Sequence, residues 1–303
     1  MPTAAIEVRS LRKTYGELEA VAGVDLDIER GEIYALLGPK GAGKTTTIEI
    51  LEGYRERTSG DVRVLGHDPG KREQAFRRKI GIVLQETGVE PFLTVEEVIE
   101  QYRGYYPQPR PLDEIVEVVG LQEKRRARVT KLSGGQKRRL DVAVGLAGDP
   151  ELLFLDEPTT GFDPGARRNA WDMVKSLQAL DKTVLLTTHY MDEAQHLAGR
   201  VGIISAGSII AEGPPAELMG GGAATTRISF SLDDDASLPD GLARHAVRRD
   251  GRIEIATAEP VPLLHELTRW ALDGSINLRG LAVARPSLED VYLELTKSSG
   301  GSS

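Results

Sequence analysis

Gly38-Pro39-Lys40-Gly41-Ala42-Gly43-Lys44-Thr45 lies between a strand-like run, residues 32–37, and a helix-like run, residues 45–51. Two glycines five positions apart, followed by Lys-Thr, have the spacing of a phosphate-binding loop, and the flanking strand and helix supply its required context. Glycines let backbone N–H groups curl around phosphate oxygens, and the helix N-terminus adds partial positive charge. The stretch predicts an α/β fold of the P-loop NTPase type that binds a nucleotide.

The end of this loop also carries chemistry. We expect Lys44 to bridge the β- and γ-phosphates of ATP and the Thr45 hydroxyl to hold Mg²⁺. Thr46 continues the same helix start and belongs to the expected nucleotide site. ATP and Mg²⁺ are the expected ligands. No other metal site is expected, because the five histidines lack paired spacing and the chain has no cysteine.

A second apolar run ends in two carboxylates. Residues 152–155 have the composition of a buried strand, and Asp156 and Glu157 follow them, at the strand end where open α/β sheets bind ligands. We expect Asp156 to meet the Mg²⁺. Glu157 is the candidate general base for the water that attacks the γ-phosphate.

The pattern of the chain predicts two domains. Residues 1–219 form the α/β domain, with a mostly helical insertion at about residues 86–149. The run Gly-Gly-Gly-Ala-Ala at 220–224 has the composition of a flexible linker. Residues 225–297 have the pattern of a small β/α domain of accessory or regulatory type, and residues 298–303 that of a flexible tail.

Composition excludes several classes of protein. A formal net charge of −8 is a poor match to a nucleic-acid backbone, so no nucleic-acid partner is expected. No apolar run approaches the ~20 residues needed to span a bilayer. The first residues also lack the layout of a secretory signal, and we expect a cytoplasmic protein.

Leu132-Ser133-Gly134-Gly135-Gln136, ahead of the Asp156 strand, resembles the signature motif of the ABC ATPase family. Ser133 is the candidate N-cap of a helix, and the glycines make a second anion cradle. The resemblance implies that Ser133, Gly134, Gly135 and Gln136 clamp the γ-phosphate of ATP bound to another subunit. ATP would then close a homodimer, or a pair with a homologous ATPase subunit.

The same resemblance assigns four further residues. Gln85, at the end of a strand-like run, matches the glutamine that contacts Mg²⁺ and water and forms the hinge to the helical insertion. His189, after residues 184–188, matches the switch histidine that contacts the γ-phosphate. Tyr15 matches the aromatic residue that stacks on adenine, and Asp163 lies in the D-loop position at the dimer interface.

Two residues depart from the family pattern. Lys40 stands where relatives usually have Asn, and Phe162 stands where they usually have Leu. Neither departure removes a catalytic group, so the site is expected to hydrolyse ATP.

Two segments resemble bacterial drug-exporter ATPases of the daunorubicin-resistance type: Tyr-Met-Asp-Glu-Ala at 190–194 and Arg-Pro-Ser-Leu-Glu-Asp-Val-Tyr at 285–292. The resemblance implies an ATPase that powers a separate membrane permease of about six helices. It would lie on the inner face of the cell membrane and contact the membrane only through the permease. Alternatives are lipid or polysaccharide export, import, and a soluble non-transport ABC ATPase. A single cassette without zinc-binding cysteines disfavours the last.

Overall fold

The computed structural model describes residues 4–83, 88–220, 226–232, 238–244, 246–249, 251–284 and 287–299. The chain divides into two compact units, Met1–Pro215 and Ala216–Ser303. Gln85, most of the expected linker at 220–224 and most of the expected tail lie outside the described residues.

The helices and strands follow one another in chain order. They are β1 (Ala4–Tyr15), β2 (Leu18–Glu29), β3 (Ile33–Leu37), α1 (Lys44–Leu51), β4 (Ser59–Val64), α2 (Gln74–Arg77), β5 (Ile80–Val83), α3 (Val95–Arg103), α4 (Leu112–Val118), α5 (Gly134–Leu146), β6 (Leu152–Asp156), α6 (Pro164–Gln178), β7 (Thr183–Thr188), α7 (Met191–Leu197), β8 (Arg200–Ser205), β9 (Ser208–Gly213), α8 (Pro215–Leu218), β10 (Thr226–Ser231), α9 (Asp240–Ala243), β11 (Ala246–Arg249), β12 (Arg252–Thr257), α10 (Pro260–Asp273), β13 (Arg279–Ala284) and α11 (Leu288–Ser299).

A six-stranded sheet forms the centre of the first unit, in the order β5-β6-β7-β3-β8-β9. The first five strands are parallel, and β9 pairs antiparallel with β8. All five residues of β3 are buried, as its uninterrupted apolar run predicts for a central parallel strand. Because β3, β6 and β7 are parallel neighbours, the loops that follow their C-terminal ends meet at one edge of the sheet. The predicted α/β fold is confirmed.

A second, antiparallel sheet of the first unit has the order β2-β1-β4. Sequence patterning did not predict β4. The sequence of β4, Ser-Gly-Asp-Val-Arg-Val, buries only Val62 and Val64, which is too short an alternation to stand out. The long strand β1 carries Tyr15 at its end.

Helices α3, α4 and α5 lie between β5 and β6 in the chain, where sequence patterning placed a helical insertion. The Thr94 side chain caps α3 by accepting a hydrogen bond from the Glu97 N–H. Ser133 does the same for α5 with Gln136, so its expected role as an N-cap is confirmed. None of the helices described is long and apolar enough to cross a membrane.

The second unit is a four-stranded antiparallel sheet in the order β11-β12-β10-β13, with two longer helices, α10 and α11. Its core contains Ile228, Phe230, Leu242, Ile253, Ile255 and Leu267. Ser287 caps α11, since the Asp290 N–H donates to Ser287 Oγ at 3.2 Å. Helix α11 runs to Ser299, two residues into the segment that composition assigned to the tail, because no glycine interrupts the chain before Gly300.

Candidate functional site

The loop between β3 and α1 is shaped by its glycines. Gly43, the N-cap of α1, has φ 103°, a conformation that favours glycine. A Cβ at Gly43 would lie 2.5 Å from the Ala20 carbonyl oxygen, and a Cβ at Gly38 would lie 2.4 Å from that of Ile204. The loop is therefore packed tightly behind its backbone.

Lys44 is buried, with 4% of its surface exposed, and folds back over its own loop. Its Nζ donates to the carbonyl oxygens of Gly38 at 2.8 Å and Pro39 at 3.0 Å. Burial lowers the pKa of Lys44, and the nearby carboxylates of Glu157 and Asp156 partly offset this. Lys44 Nζ lies 3.7 Å from Glu157 Oε1, so the expected phosphate-binding cation and the expected base are adjacent.

A cavity of about 510 Å³ opens in front of this loop, within the size range of small-molecule sites. The structure brings nine of the predicted residues together there. Its walls are Tyr15, Leu18, Ala20, Lys40, Gly41, Gly43, Lys44, Thr45, Thr46, Asp156 and Glu157.

Glu157 follows β6 directly and has φ 45°, which is strained for a residue with a side chain. Its N–H donates to Thr187 Oγ1 at 3.0 Å, and its carboxylate Oε2 accepts from the Thr160 hydroxyl at 3.1 Å. His189 follows β7, and its Nδ1 lies 3.3 Å from Glu157 Oε1. This nitrogen is buried and makes no hydrogen bond with the described residues, so the histidine is held beside the carboxylate without being tied to it.

Thr45 and Asp156, whose side chains carry oxygen atoms, line the same cavity. One carboxylate oxygen of Asp156 accepts a hydrogen bond from the Thr187 hydroxyl, which orients the group. Oxygen ligands of this kind suit Mg²⁺, which keeps several waters and bonds to substrate phosphates. Among the described residues, no group of three or more His, Asp or Glu side chains is arranged so that it could hold a metal ion.

Ser133 lies elsewhere. It lines a different cavity, together with Gly135, Gln136, Phe162 and other residues of α5 and α6. Ser133 Oγ accepts from the Gln136 N–H at 3.3 Å, and Gln136 Oε1 accepts from the Ser133 N–H at 3.0 Å. Gln136 thus closes the helix start, which leaves Ser133 and Gly134 exposed.

The remaining predicted residues have separate settings. Tyr15 is 39% exposed, with Lys13 Nζ 5.0 Å and Arg55 Cζ 5.4 Å from the centroid of its ring. Asp163 is the N-cap of α6 and accepts hydrogen bonds from the N–H groups of Gly165 and Ala166. Lys40 is exposed at the mouth of the first cavity.

Sequence reasoning missed three residues that hold the Glu157 loop. Thr187 binds it from β7, Arg138 from α5, and Glu193 from α7, where its Oε1 accepts from the Thr159 hydroxyl at 2.7 Å. A signal for Arg138 was present, because it shares one helix face with the apolar Val142 and the small Gly145. Thr187 and Glu193 gave no comparable signal.

Two family models match the chain. Residues 21–160 match "ABC transporter", and residues 226–287 match "ABC transporter domain-containing protein-like, C-terminal domain". The Nod factor export ATP-binding protein I of Burkholderia lata is 39% identical over 305 residues, covering 98% of both chains. The chain belongs to the ATP-binding proteins of ABC transporters.

One further relative and one solved structure support this family assignment. The daunorubicin resistance ATP-binding protein DrrA3 of Streptomyces coeruleorubidus is 36% identical, covering 98% of this chain and 97% of its own. A dimeric structure of the ATP-binding cassette MJ0796 in a post-hydrolysis state, bound to ADP and Pi, matches with a TM-score of 0.61 and 27% identity. It covers 69% of this chain and 98% of its own, and the ATP-binding cassette fold is thereby confirmed.

Proposed function

We propose that this ABC protein hydrolyses ATP as a dimer, preferably of two identical copies, and thereby powers drug-type export through a separate membrane permease. One observation carries the dimer. The cavity that holds Lys44 and Glu157 is not lined by Ser133, which faces a different cavity. A second copy that supplies Ser133 would close the site.

The residues of the first cavity divide the work of phosphoryl transfer. Backbone N–H groups of the loop and Lys44 bind and orient the β- and γ-phosphates. Tyr15 offers a partly exposed ring for stacking on adenine. Glu157 accepts hydrogen bonds from water and draws a proton from it, and His189 beside it contacts the γ-phosphate region.

Thr45 and Asp156 would hold Mg²⁺, with Gln85 as the third expected contact. When bound, the ion neutralises charge on the phosphate oxygens. Thr45 and Asp156 both line the cavity, which supports this assignment.

Replacing Ser133 by Arg tests the dimer. The exposed helix start would then carry a bulky cation where the partner's nucleotide must dock, so hydrolysis should be abolished. Nucleotide binding to each copy should remain measurable, for example by the fluorescence of a labelled ATP analogue.

Thr94→Arg is the matched control, because Thr94 caps α3 in the same way. It should retain hydrolysis. A Ser133→Arg protein that turns over ATP at the rate of Thr94→Arg would remove the second copy from the reaction.

Export is supported by two relatives, an export protein and a resistance protein, which each align over 98% of this chain. The test is made in cells that carry the chain and the membrane protein that copurifies with it. They should accumulate less labelled daunorubicin than cells with Glu157→Gln. Greater accumulation would favour import, and equal accumulation a different cargo such as a lipid or polysaccharide.

Residues 1–219 form the proposed nucleotide-binding domain, and residues 225–297 the proposed accessory domain, which stabilises or regulates the dimer. The division of the chain after Pro215 and the separate family match at 226–287 support two domains. Truncation before Gly222 tests the role, with self-association and ATPase rate as the measurements. Identical values for both forms would exclude it.

We also place the protein on the inner face of the cell membrane, attached only through the permease. Cells that lack the permease should release it into the soluble fraction. Retention on membranes without the permease would show a direct membrane contact.

A further inference from the structure

Arg138 is an arginine in the interior of the first unit. It lies in the second turn of α5, and only 7% of its surface is exposed. Burial lowers its pKa, and nearby carboxylates, chiefly Asp141, act against this shift. Taking a guanidinium out of water is costly unless its donors are used, so the partners of Arg138 indicate what it does.

The guanidinium of Arg138 binds two backbone carbonyl groups. Its Nη2 donates to the Asp156 carbonyl oxygen at 3.0 Å, and its Nε donates to the Pro158 carbonyl oxygen at 3.2 Å. These are the two residues on either side of Glu157. The planar fork of an arginine can span both carbonyls, which the single ammonium of a lysine cannot do with the same geometry.

The backbone between those two carbonyls is strained. Glu157 has φ 45°, and such a conformation is costly for a residue with a side chain and persists only where the surroundings hold it. Thr187 on β7 accepts the Glu157 N–H, and Arg138 on α5 binds the flanking carbonyls. The segment is thus held from a strand and from a helix.

We propose that Arg138 is a positioning residue for ATP hydrolysis that acts within its own chain. Its guanidinium fixes the backbone on both sides of Glu157 and so aims that carboxylate into the nucleotide cavity. The inference rests on the proposed function, because it requires Glu157 to be the base.

The position of Arg138 also allows a different role. It lies on the helix that begins next to Ser133, which would cap the nucleotide of the partner copy. Loss of Arg138 could then act on the partner's site through Ser133. The two roles differ in whose Glu157 is affected, and mixed dimers separate them.

The experiment uses two copies with different affinity tags, purified in sequence so that only mixed dimers remain. One copy carries Ser133→Arg, which disables the site that this copy would cap. The single working site then uses the Glu157 of the Ser133→Arg copy and the Ser133 of the other copy. Arg138→Met is added to one copy or to the other.

Arg138→Met on the Ser133→Arg copy should lower kcat on the order of 10- to 100-fold, because it misplaces the base of the working site. On the opposite copy it should change kcat less than about twofold, within the context variation of such measurements. KM for ATP should change little in either arrangement. The reverse pattern, or equal losses in both arrangements, would overturn the proposal.

Arg139→Met is the matched control. Its guanidinium donates to the Gly120 carbonyl oxygen at 3.3 Å, inside the helical insertion and away from the Glu157 segment. It should show no dependence on which copy carries it. If Arg138→Met does not fold, Arg138→Lys takes its place in both arrangements, with the same dependence on the copy and a smaller loss.

Dimers with Ser133→Arg on one or on both copies separate failure of the proposed function from failure of the role of Arg138. Dimers with Ser133→Arg on both copies should be silent, and turnover by them would overturn the proposed function. Silent dimers together with no effect of where Arg138→Met is placed would overturn only the role of Arg138.

Discussion

The interiors of the two units differ in kind. The first unit buries charged and polar side chains among its apolar core, including Lys44, Arg138, Thr187 and Glu193. The second unit has an apolar core around Phe230, and every buried polar residue found in the described part of the chain belongs to the first unit. Buried polar groups are costly unless they are partnered. The first interior therefore contains partnered polar side chains near the proposed catalytic site, whereas the second is stabilised by apolar packing.

Two tryptophans make this difference measurable. The chain has only Trp171, in α6 of the first unit, and Trp270, in α10 of the second. Trp270→Phe leaves a fluorescence signal from the first unit alone, and Trp171→Phe leaves one from the second. Unfolding of the two units can then be followed separately in these two backgrounds.

The largest expected effect concerns catalysis by the first unit. Glu157→Gln should cut ATP turnover by on the order of 10²–10⁴, the usual contribution of a general base, while nucleotide binding persists. ATP should then trap a dimer on a sizing column.

Glu151→Gln is the control for that substitution, since Glu151 lies just before β6, beyond the opposite end of the strand, and pairs there with Arg30 and Lys79. It should keep the wild-type rate. A Glu157→Gln enzyme with an unchanged rate would remove Glu157 from the reaction.

The next effect concerns the apolar core of the second unit. Phe230→Ala should destabilise the second unit by about 3–5 kcal/mol, because it leaves a cavity in a small core. Denaturant unfolding followed by Trp270 should show the loss, and the Trp171 transition should stay in place. Val261→Ala, at a position that is 75% exposed, should change neither transition, and an equal shift of both by Phe230→Ala would mean that the units unfold together.

A smaller effect concerns pH and the first unit. Glu52 is buried at the end of α1, and burial raises its pKa to about 8, with a further contribution from Asp156. Between its ordinary pKa and about 8, the folded chain keeps a proton that the unfolded chain releases. The free energy of unfolding should therefore fall as pH rises through this window, by up to about 1.4 kcal/mol per pH unit.

Glu52→Gln should flatten this dependence and stabilise the first unit at pH 7 by about 3 kcal/mol. Unfolding followed by Trp171 from pH 5 to pH 8 measures it. Glu56→Gln, four residues away with a side chain 79% exposed, should leave the slope unchanged. Parallel slopes for wild type and Glu52→Gln would contradict the assignment.

The smallest effects form a matched pair. Thr94 and Ser287 cap α3 and α11 through the same kind of hydrogen bond, one in each unit. Replacing either by Ala should cost about 1 kcal/mol, the usual value of an N-cap. Thr94→Ala should move only the Trp171 transition and Ser287→Ala only that of Trp270, and crossed effects would show coupling between the units.

Much of the site could be predicted from the sequence because its residues are local. The phosphate loop, the Asp156-Glu157 pair and the cap at Ser133 each depend on a few consecutive residues, and their spacing is set by one turn or strand end. The parallel sheet then brings the loop, Glu157 and His189 together, as expected for neighbouring strands.

Contacts between distant segments could not be predicted in this way. Arg138 reaches carbonyl groups 18 and 20 residues away, and Thr187 reaches Glu157 across 30 residues. Backbone carbonyls are present at every residue, so no pattern marks which of them an arginine will bind. Strand β4 was missed for a different reason, because its exposed face is polar and its buried face has only two valines.

The position of helix α5 bears on how the two proposed ATP sites are coupled. This helix of 13 residues begins beside Ser133, which is proposed to cap the nucleotide of the partner copy. One turn further on, its Arg138 binds the strained segment that carries Glu157 of its own chain. Movement of this helix would therefore displace Ser133 and the Glu157 segment together. In the proposed dimer, the two ATP sites would therefore be coupled through α5, so that hydrolysis in one copy would change the cap on the nucleotide of the other.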